Sequence, residues 1–124
     1  MLYLYVAAGG AFGAVCRYLL TSEITSLAGR GFPYGTMTAN IIGSLLMGVA
    51  IGVIATMLPR GKEFHALIVI GALGGFTTFS AFSYDSWLLI ERGQWLAAGV
   101  YILGSVILCI LAFFAGMWLF KVAT

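Results

Sequence analysis

The residues best suited to chemistry in this chain lie in one apolar stretch, Gly71–Ser83, which reads GALGGFTTFSAFS. Two adjacent glycines, Gly74 and Gly75, are followed closely by Thr77 and Thr78. Glycine exposes the backbone and hydroxyl side chains compete for its hydrogen bonds, so a continuous helix is disfavoured here. The sequence therefore predicts a helix that breaks near Gly74 to Thr78.

A broken helix inside a membrane leaves backbone groups unpaired, which is tolerated only where they bind something or line a cavity. Freed carbonyl oxygens favour a small, hard cation. The alternative is a glycine kink in which the hydroxyls of Thr77 and Thr78 satisfy the backbone. Composition does not decide between the two.

Aromatic rings follow the predicted break at Phe79 and Phe82, which share one helix face because they are three residues apart. The edge of a phenyl ring is electropositive, so a desolvated anion could rest against it. A pair of phenylalanines more often serves packing alone. The polar residues in the other apolar stretches make an anion site the more specific interpretation.

Those polar residues are few. Asn40 lies inside an apolar stretch, where its amide is costly unless paired and where its NH₂ group could donate to an anion. Tyr101, Ser105 and Cys109 recur every four residues and form one stripe, either a track of donors or a seam between helices. Arg17 either reaches towards the membrane surface or draws anions into a vestibule.

The elements that must position these residues are membrane helices. Of the 124 residues, 62% are apolar and 8% charged, and the mean hydropathy is +1.08. A helix that crosses a bilayer needs about 20 mostly apolar residues. We predict an all-α membrane protein with a single transmembrane domain over 1–124 and four spans, at about 2–22, 34–58, 65–90 and 94–120.

Basic residues are balanced between the two ends of these spans. The terminal end carries Arg60, Lys62 and Lys121, and the other end carries Arg17, Arg30 and Arg92. Basic residues set membrane orientation, so this balance favours insertion in both orientations and an antiparallel homodimer, the alternative being one orientation set by a single residue. The GxxxG pairs Gly9/Gly13 and Gly48/Gly52 predict close helix packing, within the chain or with a partner.

The sequence resembles the Fluc family of microbial fluoride channels, the CrcB or camphor-resistance proteins, along essentially its whole length. Matching blocks are Gly9–Tyr18, Phe32–Thr36 with Asn40 and Gly43, and Gly74–Phe82. The segment GGFTTFS is the most specific of these. The resemblance implies a passive fluoride channel of the plasma (inner) membrane that exports fluoride and so gives fluoride resistance, with no enzymatic activity and no nucleic-acid partner.

The resemblance also implies a dual-topology antiparallel homodimer and a structural sodium ion at its centre. Carbonyls of Gly74 and Thr77 from each chain would hold the sodium. The fluoride pathway implied by the resemblance comprises Thr36, Asn40, Phe79, Phe82, Tyr101, Ser105 and Cys109.

Two positions depart from the family pattern. Ala81 stands where many relatives have a hydroxyl residue, and Cys109 stands where the polar stripe often has serine. A thiol is a weak donor, so the conduction rate could differ. The alternative function is a small multidrug-resistance transporter, whose mechanism needs a carboxylate in the middle of the first span. That predicted span contains Arg17 as its only charged residue, and the absence of a deep carboxylate favours a passive conduit.

Overall fold

The computed structural model describes every residue from Met1 to Thr124 and contains helices but no strands. Most of the chain forms long helices joined by short turns. The elements are α1 (Leu2–Ala28), α2 (Tyr34–Met57), α3 (Lys62–Phe64), a π-helix (His65–Leu73), α4 (Gly74–Phe76), α5 (Phe79–Glu91) and α6 (Trp95–Ala123).

Four segments are long and apolar enough to cross a membrane. They are α1, α2, the third span Lys62–Glu91 and α6, with 27, 24, 30 and 29 residues. Each exceeds the roughly 20 residues that span the hydrocarbon core. The protein is therefore a multi-pass, all-helical membrane protein. α1 runs to Ala28, beyond the predicted end of the first span at residue 22.

The third span is the irregular one. Residues 65–73 wind as a π-helix, which usually appears only as a single turn and often at functional sites. Gly74 and Gly75, at the start of the stretch where a break is predicted, are still helical. Non-helical backbone is confined to Thr77 and Thr78, between α4 and α5.

Glycines allow the helices to pack backbone against backbone. A Cβ atom on Gly9 or Gly13 would overlap the main chain of the third span at Leu67 or Ala72. A Cβ atom on Gly48 would overlap the carbonyl of Phe113 in α6. Both GxxxG pairs thus face helices of the same chain, which answers the question that spacing alone leaves open.

The chain buries little of itself. Only 18 of its 124 residues are buried, and many large apolar side chains are exposed on every long helix. In water such a surface would be untenable, because contiguous exposed apolar patches drive association. Lipid, or lipid together with another protein surface, must cover it.

Candidate functional site

The candidate site is built around the two extended threonines of the third span. Thr77 has φ −91° and ψ 155°, and Thr78 has φ −151° and ψ 125°. The Thr77 hydroxyl donates to the Leu73 carbonyl at 3.0 Å. The Thr78 hydroxyl accepts from the Ala81 N–H at 3.1 Å and so caps α5. The hydroxyls satisfy the helix ends on both sides while the backbone between them stays extended.

Asn40 of α2 holds this extended backbone in place. Its Nδ2 donates to the Thr78 carbonyl at 3.0 Å, and its Oδ1 accepts from the Thr78 N–H at 2.8 Å. The amide therefore pairs with one peptide group as a neighbouring strand would. A primary amide carries two N–H donors, and these contacts use one of them, so the second is available to a ligand.

Arg17 of α1 also binds the third span. Its Nε donates to the Gly75 carbonyl at 3.1 Å, an oxygen near the end of α4 that has lost its helical partner. A cation at a helix C-terminus is favourable because of the helix dipole. Arg17 is half-buried against this backbone. Its side chain is thus directed at the interruption, whichever of its predicted roles it has.

A cavity of about 310 Å³ opens beside the interruption. It brings together five of the predicted pathway residues with the two threonines. The pathway residues that line it are Asn40, Phe79, Phe82, Ser105 and Cys109. Ser44 adds another hydroxyl, and the lining contains no acidic residue. With no negative charge in the lining, the second Asn40 N–H and the Ser105 hydroxyl are unpaired donors, which suits an anion.

The two phenylalanines of this cavity differ in exposure. Phe79 is 76% exposed, whereas Phe82 is half-buried and packs on Tyr101. Their ring centroids are 5.4 Å apart with the planes tilted by 54°. Both rings border the same space, as their spacing predicts, and a tilted pair presents ring edges as well as faces.

Ser105 has the least satisfied side chain of the site. The residue is only 5% exposed, and its Oγ has no hydrogen-bond partner. A buried polar atom without a partner costs about 1–3 kcal/mol. Because Ser105 lines the cavity, a ligand there could receive the hydrogen bond that the protein does not use.

The remaining predicted pathway residues lie outside this cavity. Tyr101 is fully buried, and its hydroxyl donates to Asp85 Oδ2 at 3.2 Å. Thr36 lines a second, polar cavity of about 270 Å³ near the α1–α2 and α5–α6 turns, together with Asp85 and Arg92. Tyr101 separates the two spaces, because it packs on Phe82 of the first cavity and bonds Asp85 of the second.

Asp85 is a residue that sequence reasoning passes over. The sequence makes it the edge of the third apolar stretch, yet α5 continues to Glu91 and keeps the Asp85 carboxylate against Tyr101. Asp85 lies three residues after Phe82, and that spacing puts both on one face of α5. That spacing is the signal from which it could have been found.

The carbonyl oxygens proposed as metal ligands satisfy one chemical requirement. The backbone hydrogen bonds formed outside the helices do not use the oxygens of Gly74 or Thr77. No cluster of three His, Cys, Asp or Glu side chains offers another metal site. Main-chain oxygens suit hard cations, so these residues could hold one.

Comparison with known proteins decides the family. The model of the family described as CrcB-like protein, Camphor Resistance (CrcB), matches residues 4–117. The chain belongs to this family. A relative named fluoride-specific ion channel FluC, from Phenylobacterium zucineum (strain HLK1), is 50% identical over 94% of this chain and 92% of its own.

Other CrcB-family relatives give the same picture. Fluoride-specific ion channel FluC of Hahella chejuensis (strain KCTC 2396) is 46% identical over 91% of this chain and 89% of its own. The protein of that name from Sphingopyxis alaskensis (strain DSM 13593 / LMG 18877 / RB2256) is 46% identical over 94% and 92%. These relatives are named as channels, not as enzymes or drug transporters.

Proposed function

We propose that this chain is a passive, fluoride-selective channel that exports fluoride across the plasma (inner) membrane and so gives fluoride resistance. The observation that carries the proposal is the first cavity, where the unpartnered Ser105 hydroxyl lies with Asn40 and the two phenylalanines. The CrcB-family relatives are named fluoride-specific ion channels, which supplies the ion. The function is transport, not catalysis.

The cavity supplies what a small, strongly hydrated anion needs. A selective pore must replace the lost water with donors while leaving the ion free to depart. The Ser105 hydroxyl, the second Asn40 N–H and the edges of Phe79 and Phe82 are such groups. The guanidinium of Arg17, held at Gly75, adds positive charge on the other side of the third span.

We place the interruption at Thr77 and Thr78 near the middle of the bilayer. Thr77 lies about halfway along the 30-residue third span. A span of that length is longer than the roughly 30 Å hydrocarbon core requires, so its midpoint falls well inside the core. The ion would then meet the cavity where water is scarcest and where protein donors matter most.

The working unit in this proposal is an antiparallel homodimer of two oppositely inserted copies. The cavity opens to the outside of the chain at Phe79, whose side chain is 76% exposed. In a closed pathway a second copy of the chain would cover this opening. The glycine pairs are used inside the chain, so a dimer would form through other surfaces. The equal numbers of basic residues at the two ends also favour both orientations.

The dimer centre would hold a structural sodium ion. Gly74 and Thr77 from each chain would ligate it through their carbonyl oxygens, which the hydrogen bonds outside the helices leave unused. A bound cation offsets the cost of bringing an anion into a low dielectric. Arg17 already donates a hydrogen bond to the neighbouring Gly75 carbonyl, so that oxygen is not counted among the sodium ligands.

The proposal is tested by fluoride efflux from liposomes that contain the purified protein, measured with a fluoride electrode. We expect fluoride to leave down its own gradient and chloride to be retained. If efflux required an opposing proton gradient, the protein would be a coupled transporter and not a channel. No efflux from liposomes that contain folded protein would reject conduction altogether.

A further inference from the structure

A third cavity lies away from the proposed pathway, at the end of the molecule where α1 begins and α2 ends. Its volume is about 650 Å³. The first turns of α1 and the start of the third span form its walls, through apolar residues such as Tyr3, Val6 and Ile70. Tyr3 is 86% exposed, as is typical of an aromatic residue at a membrane interface.

Basic residues form the rim of this cavity. Arg60, Lys62 and His65 all line it, and no acidic residue does. Arg60 and Lys62 are exposed. The side-chain hydrogen bonds that cationic residues donate in this protein come from Arg17 and Arg92. The charges at the rim are therefore available to an external anion.

An apolar groove with a cationic rim at the end of a membrane span matches one kind of molecule. A phospholipid presents acyl chains to the apolar walls and a phosphate to the rim, and basic residues at this depth attract anionic lipids. A soluble anion would gain nothing from Val6 or Ile70. A peptide would place its polar backbone groups against the apolar walls without partners.

We propose that this groove binds one anionic phospholipid, with its phosphate between Arg60 and Lys62 and an acyl chain against Val6 and Ile70. The site is separate from the cavity at Asn40 and does not depend on fluoride conduction. It ties the turn after α2 to the start of α1 through the lipid. Removal of the lipid is expected to loosen that end of the molecule.

The test is native mass spectrometry of the intact protein released from bilayers of equal phosphatidylglycerol and phosphatidylcholine content. We expect retained phosphatidylglycerol on the wild type. A double variant, Arg60→Gln with Lys62→Gln, should bind it about 25-fold more weakly, since one basic residue near anionic lipid contributes about 1 kcal/mol, or about fivefold. Lys121→Gln, at the same end but outside the groove, is the matched control and should bind normally.

Each other outcome overturns the proposal. Equal retention of both lipids would mean a non-specific annulus, and binding about fivefold weaker in Lys121→Gln, the loss expected for any one basic residue at that end, would mean a general charge effect. Displacement by millimolar inorganic phosphate alone would identify a soluble anion as the occupant. No retained lipid on the folded wild type would mean that the groove is empty or covered by another protein surface.

Discussion

Helices α2 and α6 meet in two different ways along their length. Towards their C-termini, Gly48 and Gly116 bring the two backbones into contact, and a Cβ atom on either would overlap a carbonyl of the other helix. Nearer their N-termini, Asn40 and Ser105 face a cavity. The backbone contact at the glycines holds the two helices rigidly together. Because the helices are fixed there, the donors Asn40 and Ser105 stay in position beside the cavity.

The largest effect is expected from the glycine contact. Gly48→Val would push a branched side chain into the Phe113 carbonyl, and because backbone cannot yield as a side chain can, the cost should exceed the usual 1–3 kcal/mol of overpacking. We expect loss of a monodisperse species on size-exclusion chromatography in detergent. Gly99→Val is the control, since nothing lies within 4 Å of the Cβ position at Gly99. Normal behaviour of Gly48→Val would show that the two helices are less tightly packed.

Next in size is the effect of Asn40→Asp. It replaces the N–H that binds the Thr78 carbonyl with a second oxygen and adds a charge of the same sign as fluoride. The carboxylate would repel fluoride in the cavity by about 3 kcal/mol or more, so fluoride efflux from liposomes should fall at least about 100-fold. Circular dichroism should show whether the helices persist. Efflux at the wild-type rate would remove Asn40 from the pathway.

Phe82→Ile should have a smaller effect. Isoleucine retains apolar bulk in the cavity but lacks the electropositive ring edge, and about 1.4 kcal/mol less stabilisation of the ion corresponds to a tenfold change in rate. We expect fluoride efflux to fall about tenfold with the oligomeric state unchanged. Phe114→Ile, at a 63% exposed position on α6 that does not line the cavity, should conduct normally. Equal efflux from both variants would reject the ring-edge role.

The smallest effect is expected from Ser105→Ala. Removing a buried hydroxyl that has no partner removes the cost of an unpaired polar group. The free energy of unfolding should therefore stay equal or rise by about 1 kcal/mol, with an equal or higher melting temperature. One donor is lost to the ion, and fluoride efflux should fall threefold to tenfold, the equivalent of about 1 kcal/mol. A clear fall in melting temperature would mean that the hydroxyl has a structural partner after all. Melting temperature and efflux together separate the two roles.

The sequence predicts the coarse fold well because it is a matter of length and polarity. Four apolar stretches, separated by charged and glycine-containing turns, become four helices long enough to cross a membrane. The π-helix over residues 65–73 leaves no comparable trace, because apolar periodicity over so few residues does not distinguish it from an α-helix.

The site is only partly readable from sequence. Residue type and spacing single out Asn40, Ser105 and the phenylalanines, which the structure brings to one cavity. The sequence does not show that Tyr101 and Thr36 lie outside this cavity, because their position depends on how α5 and α6 cross. The interruption at Thr77 and Thr78 lies within the stretch predicted to break, Gly74 to Thr78. Its exact residues are not readable, because the pairing of Asn40 with Thr78 fixes them. The metal and the dimer remain predictions.

The π-helix sets the angular position of everything that follows it in the third span. Its i→i+5 winding holds more residues in each turn than an α-helix does. If the same nine residues, His65–Leu73, wound as an α-helix, Thr77 and the rings after it would be turned around the helix axis. The direction in which Phe79 and Phe82 point therefore depends on backbone hydrogen bonds in the segment before them.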